Sequence, residues 1–225
     1  MVDMRVTFEQ AAAVITDSLE FGVQPAAKEQ FLTYADEDQV GGYPEVWPMG
    51  SIWEVEGKVL YALVRILKPE VVLEFGTGSC CSAAHITKAM NRNRKGKLYS
   101  IDRAQNLTHL TVDGHKPSPR KAFKRCKYVI ADGITWSQEL DFSVQMIFED
   151  TIHSRETTRE IIKAALPHLD PGGVVVSHDS EHFLVGRDVT LGLHDALGDF
   201  LGVLIEPADC GLGLWRKPSQ SPMIL

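Results

Sequence analysis

The chain has 225 residues, 44% hydrophobic and 24% charged, with a formal net charge of −7, enough for one sizeable core and short for two independent ones. No apolar stretch approaches the roughly 18 residues of a membrane helix, so neither a membrane span nor a membrane partner is expected. The acidic balance argues against a nucleic-acid partner, because phosphate-backbone affinity is built from clustered Lys and Arg.

The opening MVDMRVTFEQ lacks a charged-then-apolar signal segment, and the four cysteines include the adjacent pair Cys80 and Cys81. Neighbouring helical residues point apart, so a reducing, cytoplasmic setting is expected rather than a disulfide framework. Residues 1–50 read as an N-terminal helical extension, with helices over Phe8 to Leu19 and Ala26 to Tyr34. The Pro/Trp-rich ADEDQVGGYPEVWPMG that follows is either a lid or a packed extension, since Trp47 and Trp53 are large apolar anchors.

From Ser51 the pattern becomes regular. Ser51 and Glu54 form a capping-box pair ahead of Val55, Val59, Leu60, Leu63, Val64 and Leu67 at helical spacing, a helix that Lys68 and Pro69 end. Strands are expected at Val71 to Phe75, Lys97 to Ile101, Lys127 to Ala131, Val144 to Phe148 and Val174 to Ser177. Helices fall at Ser79 to Met90, Arg155 to Leu166 and Asp188 to Phe200, with a turn at Asp170-Pro171-Gly172-Gly173. The stretch from Arg103 to Pro119 reads as a long loop, and Arg120, Lys121, Lys124, Arg125 and Lys127 as a solvated helix face. Such alternation implies an α/β fold, a doubly wound, mostly parallel sheet covered on both faces with ligands gathered at the strands' carboxyl ends. The chain closes with an antiparallel pair, Val203 to Ile205 and Leu212 to Trp215, around PADCG.

Three nucleotide-type ligands compete for the turn after the first of these strands, EFGTGS. No Lys follows the glycines, which removes a Walker phosphate loop; a dinucleotide fingerprint would want a third glycine where Cys81 stands. Asp102, ending the next strand, suits the ribose of a dinucleotide or of an adenosyl ligand. Glu74, two residues before the first glycine, tips the balance. A carboxylate there suits a cationic ammonium end, as in S-adenosylmethionine, and would repel a pyrophosphate.

A second block, IFEDTIHSRE at 147–156 answered by PGGVVVSHDSEH at 171–182, places acids and histidines at two strand ends. Asp150 and Asp179 on one rim repel unless a cation or proton lies between them, which a hard divalent ion would resolve. His153 is either a general base or a histidine that orients its loop; His178 and His182 are weaker candidates.

From Ser51 to about Arg216 the sequence resembles a class I S-adenosylmethionine-dependent methyltransferase. LEFGTGSCCS is similar to the first motif of the group that includes the caffeoyl-CoA and macrocin O-methyltransferases and the cephalosporin-hydroxylase-like proteins, matching it at Glu74, Gly76 and Ser82 with Cys80 where a later glycine is usual. The resemblance implies a seven-stranded Rossmann-like sheet, residues 51–217 as the methyltransferase domain and 218–225 as a tail. It implies a cofactor site of Glu74, Gly76, Thr77, Gly78, Ser82, Asp102, Arg103, Ala131, Asp132, Trp136 and Asp150, with Gly76 and Gly78 lining the methionine part, Asp102 binding the ribose and Asp132 near the adenine with Ala131 and Trp136; as a residue on its own, Asp132 also reads as a helix cap. Asp150, His153 and Ser154 match the family's fourth strand end and Gly172, Gly173 and Asp179 its fifth, with Thr151 for a usual glycine. This implies Asp150 beside cofactor and acceptor, His153 as base, and Asp150, Asp179 and His178 as ligands of Mg2+ or another divalent cation. The expected acceptor is a small-molecule hydroxyl, and a homo-oligomer is compatible with the sequence. The competing readings are a nicotinamide-dependent oxidoreductase and a binding protein on the same fold without turnover.

Overall fold

The computed structural model describes residues 5–21, 25–37, 52–78, 80–103, 124–180 and 186–219. The expected lid, the long loop after Arg103, Ser51, Ser79 and His182 fall wholly or mainly outside them. Among the described residues no helix is long and apolar enough to cross a membrane.

The strands are β1 (Arg5–Val6), β2 (Val71–Phe75), β3 (Lys97–Asp102), β4 (Cys126–Ile130), β5 (Val144–Glu149), β6 (Leu169–His178), β7 (Leu201–Ile205) and β8 (Leu212–Arg216). They form one eight-stranded sheet in the order β1-β7-β8-β6-β5-β2-β3-β4. The block β6-β5-β2-β3-β4 is parallel. β8 runs antiparallel to both β6 and β7, as the terminal pattern predicts. The strand beyond the expected seven is β1, two residues parallel to β7, too short to show a period of two.

The helices are α1 (Phe8–Ser18), α2 (Pro25–Glu37), α3 (Glu54–Leu67), α4 (Cys81–Asn93), α5 (Gly133–Gln138), α6 (Arg155–Ala165) and α7 (Gly186–Leu197). Alternation along each strand sends side chains to opposite faces. Val72, Met146, Phe148, Val174 and Val176 pack with α1 to α4, and Leu73, Phe75, Ile147 and Val175 pack on the side of α6 and α7.

Two local expectations are corrected. The cap of α3 is not Ser51 with Glu54: α3 begins after Trp53, whose backbone N–H donates to Glu56 Oε2 at 2.9 Å. The acid three residues past the cap position is therefore Glu56. Asp170 to Gly173 is not a free turn but the first half of β6. Gly172 N–H donates to Lys217 O and Lys217 N–H to Gly173 O, while Gln145 holds the Asp170 carboxylate. A register shift between Val144 and Met146 absorbs the irregular backbone.

Candidate active site

The carboxyl ends of β2, β3, β5 and β6 form one rim. On the β2–β3 side the backbone makes the site. Gly76 has φ +91°, and a Cβ there would lie 1.9 Å from the Asp150 carbonyl oxygen, so only glycine fits. That approach is fixed by Asp150 N–H donating to Phe75 O at 2.9 Å and Gly76 N–H to Ile101 O at 3.0 Å. Gly78, at φ +44°, is different: nothing among the described residues lies within 4 Å of its would-be Cβ, so the turn is open to a ligand there. Cys80, where the resembled motif has glycine, takes the glycine-like conformation at φ +66° and heads α4. Burial pushes its thiol up to about 12, so it is inert. Thr77 Oγ1 and Ser100 Oγ share a buried hydrogen bond of 2.7 Å beneath the turn.

Glu74 stands at the expected strand end but is not presented to the opening. It is fully buried and accepts from the Ser82 hydroxyl, tying β2 to the first turn of α4. Burial raises its carboxyl to about 7, and its Oε2 has no hydrogen-bond partner among the described residues.

Asp102, Arg103, Ala131 and Asp132 come together at the ends of β3 and β4. Asp102 accepts from Gly78 N–H at 3.1 Å and Arg103 N–H at 2.7 Å, and Ala131 N–H donates to Asp102 O at 3.0 Å. Asp132 caps α5 by accepting from Ile134 and Thr135 N–H, and its other oxygen pairs with Arg103 at 2.6 Å. The Thr135 amide and the Arg103 guanidinium hold its carboxyl below the usual range. The cap reading of Asp132 therefore stands alongside a rim position. Trp136 packs with Tyr99 and Phe142 at ring separations of 5.8 and 6.4 Å, where the aromatic cluster absorbs the indole.

On the β5–β6 side charged side chains make the site. Asp150 and Asp179 do share a rim, and both imidazoles reach them. His178 Nδ1 lies 3.2 Å from Asp150 Oδ1 and 3.1 Å from Asp179 Oδ2; His153 Nε2 lies 2.6 Å from Asp179 Oδ2 and 3.9 Å from Asp150 Oδ1. Burial would raise both aspartates, but His178 and His153 outweigh it and hold Asp150 below, and Asp179 well below, the usual carboxylate range. The two carboxylates raise His153 to about 10, whereas burial of His178 is outweighed by Asp150 and Glu56, which hold it well above an ordinary imidazole. The repulsion anticipated between the acids is thus relieved here by protons. Asp179 sits at φ +55°, an unfavourable backbone held by these contacts.

Three contributors escaped the sequence. Glu56, from α3, is fully buried and meets His178 Nε2 at 2.9 Å. Only a lone acid beside an apolar helical stripe could have signalled it. Glu149, buried next to Asp150 in the chain, accepts from the Thr151 and Ser177 hydroxyls at 2.6 and 2.7 Å. Cys210, from the β7–β8 turn, lies with His178 and Asp179 in a group whose ligand atoms are all within 4.8 Å; Asp150, His153 and Asp179 form another such group. Ser180, next to Asp179, is fully buried, and its hydroxyl has no hydrogen-bond partner among the described residues.

Residues 73–180 match a family described as a methyltransferase domain. The fold is shared with the O-methyltransferase TomG of Streptomyces achromogenes, solved with S-adenosylmethionine, at 17% identity over 92% of this chain and 96% of that one, TM-score 0.60. It is also shared with S-adenosylhomocysteine-bound PaMTH1 of Podospora anserina, at 14% identity over 98% and 100%, TM-score 0.60. An O-methyltransferase of Bacillus cereus in complex with S-adenosylhomocysteine aligns at 14% identity over 93% and 99%, TM-score 0.60. No curated protein matches the sequence.

Proposed function

We propose that this chain, whose residues 73–180 match a methyltransferase domain, is a class I S-adenosylmethionine-dependent methyltransferase that methylates a hydroxyl of a small molecule. The observation that carries the proposal is the pairing of an open glycine turn at Gly78 with an acid–imidazole cluster on the same rim, Asp150, His153 and Asp179. The O-methyltransferases that share the fold support the same reaction class, and the methyltransferase match favours it over the nicotinamide reading. The acidic charge favours a small acceptor over nucleic acid.

Methyl transfer is an in-line displacement at the sulfonium carbon, so the protein has to align the acceptor oxygen and take its proton. Gly78 lets the backbone approach the methionine part, and Asp102 offers its carboxylate to the ribose once it exchanges the Gly78 and Arg103 amides for hydroxyls. Asp150, joined by its backbone to the Gly76 turn, lies between cofactor side and acceptor side. His153 has its side chain 38% exposed and is the imidazole an acceptor can reach. In the arrangement described it is protonated, because two carboxylates surround it. Positive charge near Asp150 and Asp179, such as the sulfonium carries, would weaken that hold, so that His153 gives its proton to solvent and Nε2 can then accept the acceptor's hydroxyl proton.

A divalent ion fits the donors: the Nδ1 of His178 lies 3.2 Å from Asp150 Oδ1 and 3.1 Å from Asp179 Oδ2. When bound, it would lower the acceptor's pKa as a Lewis acid. Isothermal calorimetry with S-adenosylhomocysteine tests the reading: micromolar binding is expected, and folded protein that does not bind would remove it. Methyl-labelled cofactor with a panel of phenols and catechols then tests the acceptor class, with labelled ether as the expected product.

A further inference from the structure

His178 is held from both sides in a way that an acidic pair alone does not need. One ring nitrogen faces Asp150 Oδ1 and Asp179 Oδ2, at 3.2 and 3.1 Å; the other faces Glu56 Oε2, at 2.9 Å, with side chains only 4% and 0% exposed. Glu56 reaches it from α3, 122 residues away in sequence. Its second oxygen, Oε1, is buried without a hydrogen-bond partner among the described residues, an arrangement that is costly unless positive charge lies close by.

We infer that the rim binds a borderline first-row divalent ion, of the Zn2+ and Co2+ class and not Mg2+, through Asp150, Asp179 and His178 Nδ1, with Glu56 as the positioning residue that orients His178. The inference deepens the methyltransferase reading, on which it rests for what the ion does but not for whether the ion binds.

A histidine that ligates a metal characteristically gives its other N–H to a carboxylate, which fixes the tautomer and aims the free lone pair at the ion. Glu56 does this for Nε2 and leaves Nδ1 facing both aspartates. Ligand atoms about 2.0–2.2 Å from a tetrahedral ion are roughly 3.3–3.6 Å apart, and the two separations observed at Nδ1 lie just inside that value. Three protein ligands with the exposed side left to solvent, acceptor or His153 is the pattern of a reactive rather than a structural site. The donor chemistry decides the class of ion. Mg2+ prefers oxygen and near-octahedral order, whereas the donors that converge here are two carboxylates and an imidazole nitrogen. What stands beside Asp179 is an imidazole and the Cys210 thiol, both suited to the borderline ions.

The test uses the full chain, stripped with a chelator and titrated calorimetrically with Zn2+ and, separately, Mg2+, together with the visible spectrum of the Co2+ form. One equivalent of Zn2+ is expected, at least about 100-fold tighter than Mg2+, with a Co2+ spectrum that Asp179→Asn abolishes. Glu56→Gln keeps the side chain's size and is expected to weaken Zn2+ by about 10- to 100-fold; if it does not fold, Glu56→Asp takes its place. Equal or tighter Mg2+ binding, no Zn2+ binding, or a Co2+ spectrum that survives Asp179→Asn overturns the site. Unchanged Zn2+ affinity in the Glu56 variant overturns the positioning role. S-adenosylhomocysteine binding without Zn2+ binding sinks this inference alone; Zn2+ binding without S-adenosylhomocysteine sinks the functional reading alone.

Discussion

The two halves of the rim are made from different materials. Between β2 and β3 the site is backbone, with Gly76 pressed against the Asp150 carbonyl, Gly78 open, and Asp102 drawn to main-chain amides. Between β5 and β6 it is side chain, with Asp150, Asp179, His153 and His178 neutralising one another. The first half holds its shape through the course of the chain itself, and its ligand needs room more than charge. The second holds its shape through protons, so what it binds has to replace positive charge with positive charge.

The sharpest way to break the comparison is to crowd the backbone half. Gly76→Ala puts a methyl at 1.9 Å from a carbonyl that cannot retreat, at φ +91°; a loss of at least about 3 kcal/mol in urea unfolding is expected, with Asp150 displaced as well. Asp150→Asn keeps the volume and removes the charge. Turnover is expected to fall by about 10²- to 10³-fold in a methyl-transfer assay, while S-adenosylhomocysteine affinity stays within a few fold. Asp102→Ala should do the reverse in kind, weakening S-adenosylhomocysteine by about 10- to 100-fold in calorimetry and sparing the acid–imidazole cluster.

The last prediction concerns the titration of Glu74. Its folded carboxyl, near 7, lies above the ordinary 4.5, so the unfolded chain releases the proton first. The stabilisation is complete below about pH 4.5 and is lost as pH rises through 7, by up to about 3 kcal/mol. The stability difference between the unsubstituted protein and Glu74→Gln, measured by denaturant melts from pH 5 to 8, should carry that slope; a flat difference would mean that Glu74 is not buried as a carboxylic acid.

The sequence made the backbone half legible because a strand, a glycine turn and an acid on the next strand are local patterns: β2, β3 and Asp102 fall where apolar runs and their endings put them. It also foretold the antiparallel close, since PADCG separates two short apolar runs. What it could not show was contact across distance. Asp170 to Gly173 carries every local sign of a turn, and only Lys217 and Gln145, remote in sequence, pull it into β6. Glu74 was expected to face a ligand's ammonium, yet burial and the Ser82 hydroxyl bind it into the frame. Trp136 was drawn to Tyr99 and Phe142 by packing that a six-residue helix does not announce. Glu56 looked like one more acid in a first helical turn, and nothing local told that its partner would be His178.

That last pairing bears on how the molecule can be cut and recombined. The segment that matches the methyltransferase domain begins at residue 73, downstream of Glu56. A fragment or chimera trimmed to that boundary would carry both aspartates and both histidines yet leave the innermost imidazole without its counter-ion. The smallest transplantable unit therefore starts one helix earlier, and a shorter graft should inherit the scaffold but not the poise of its reactive edge.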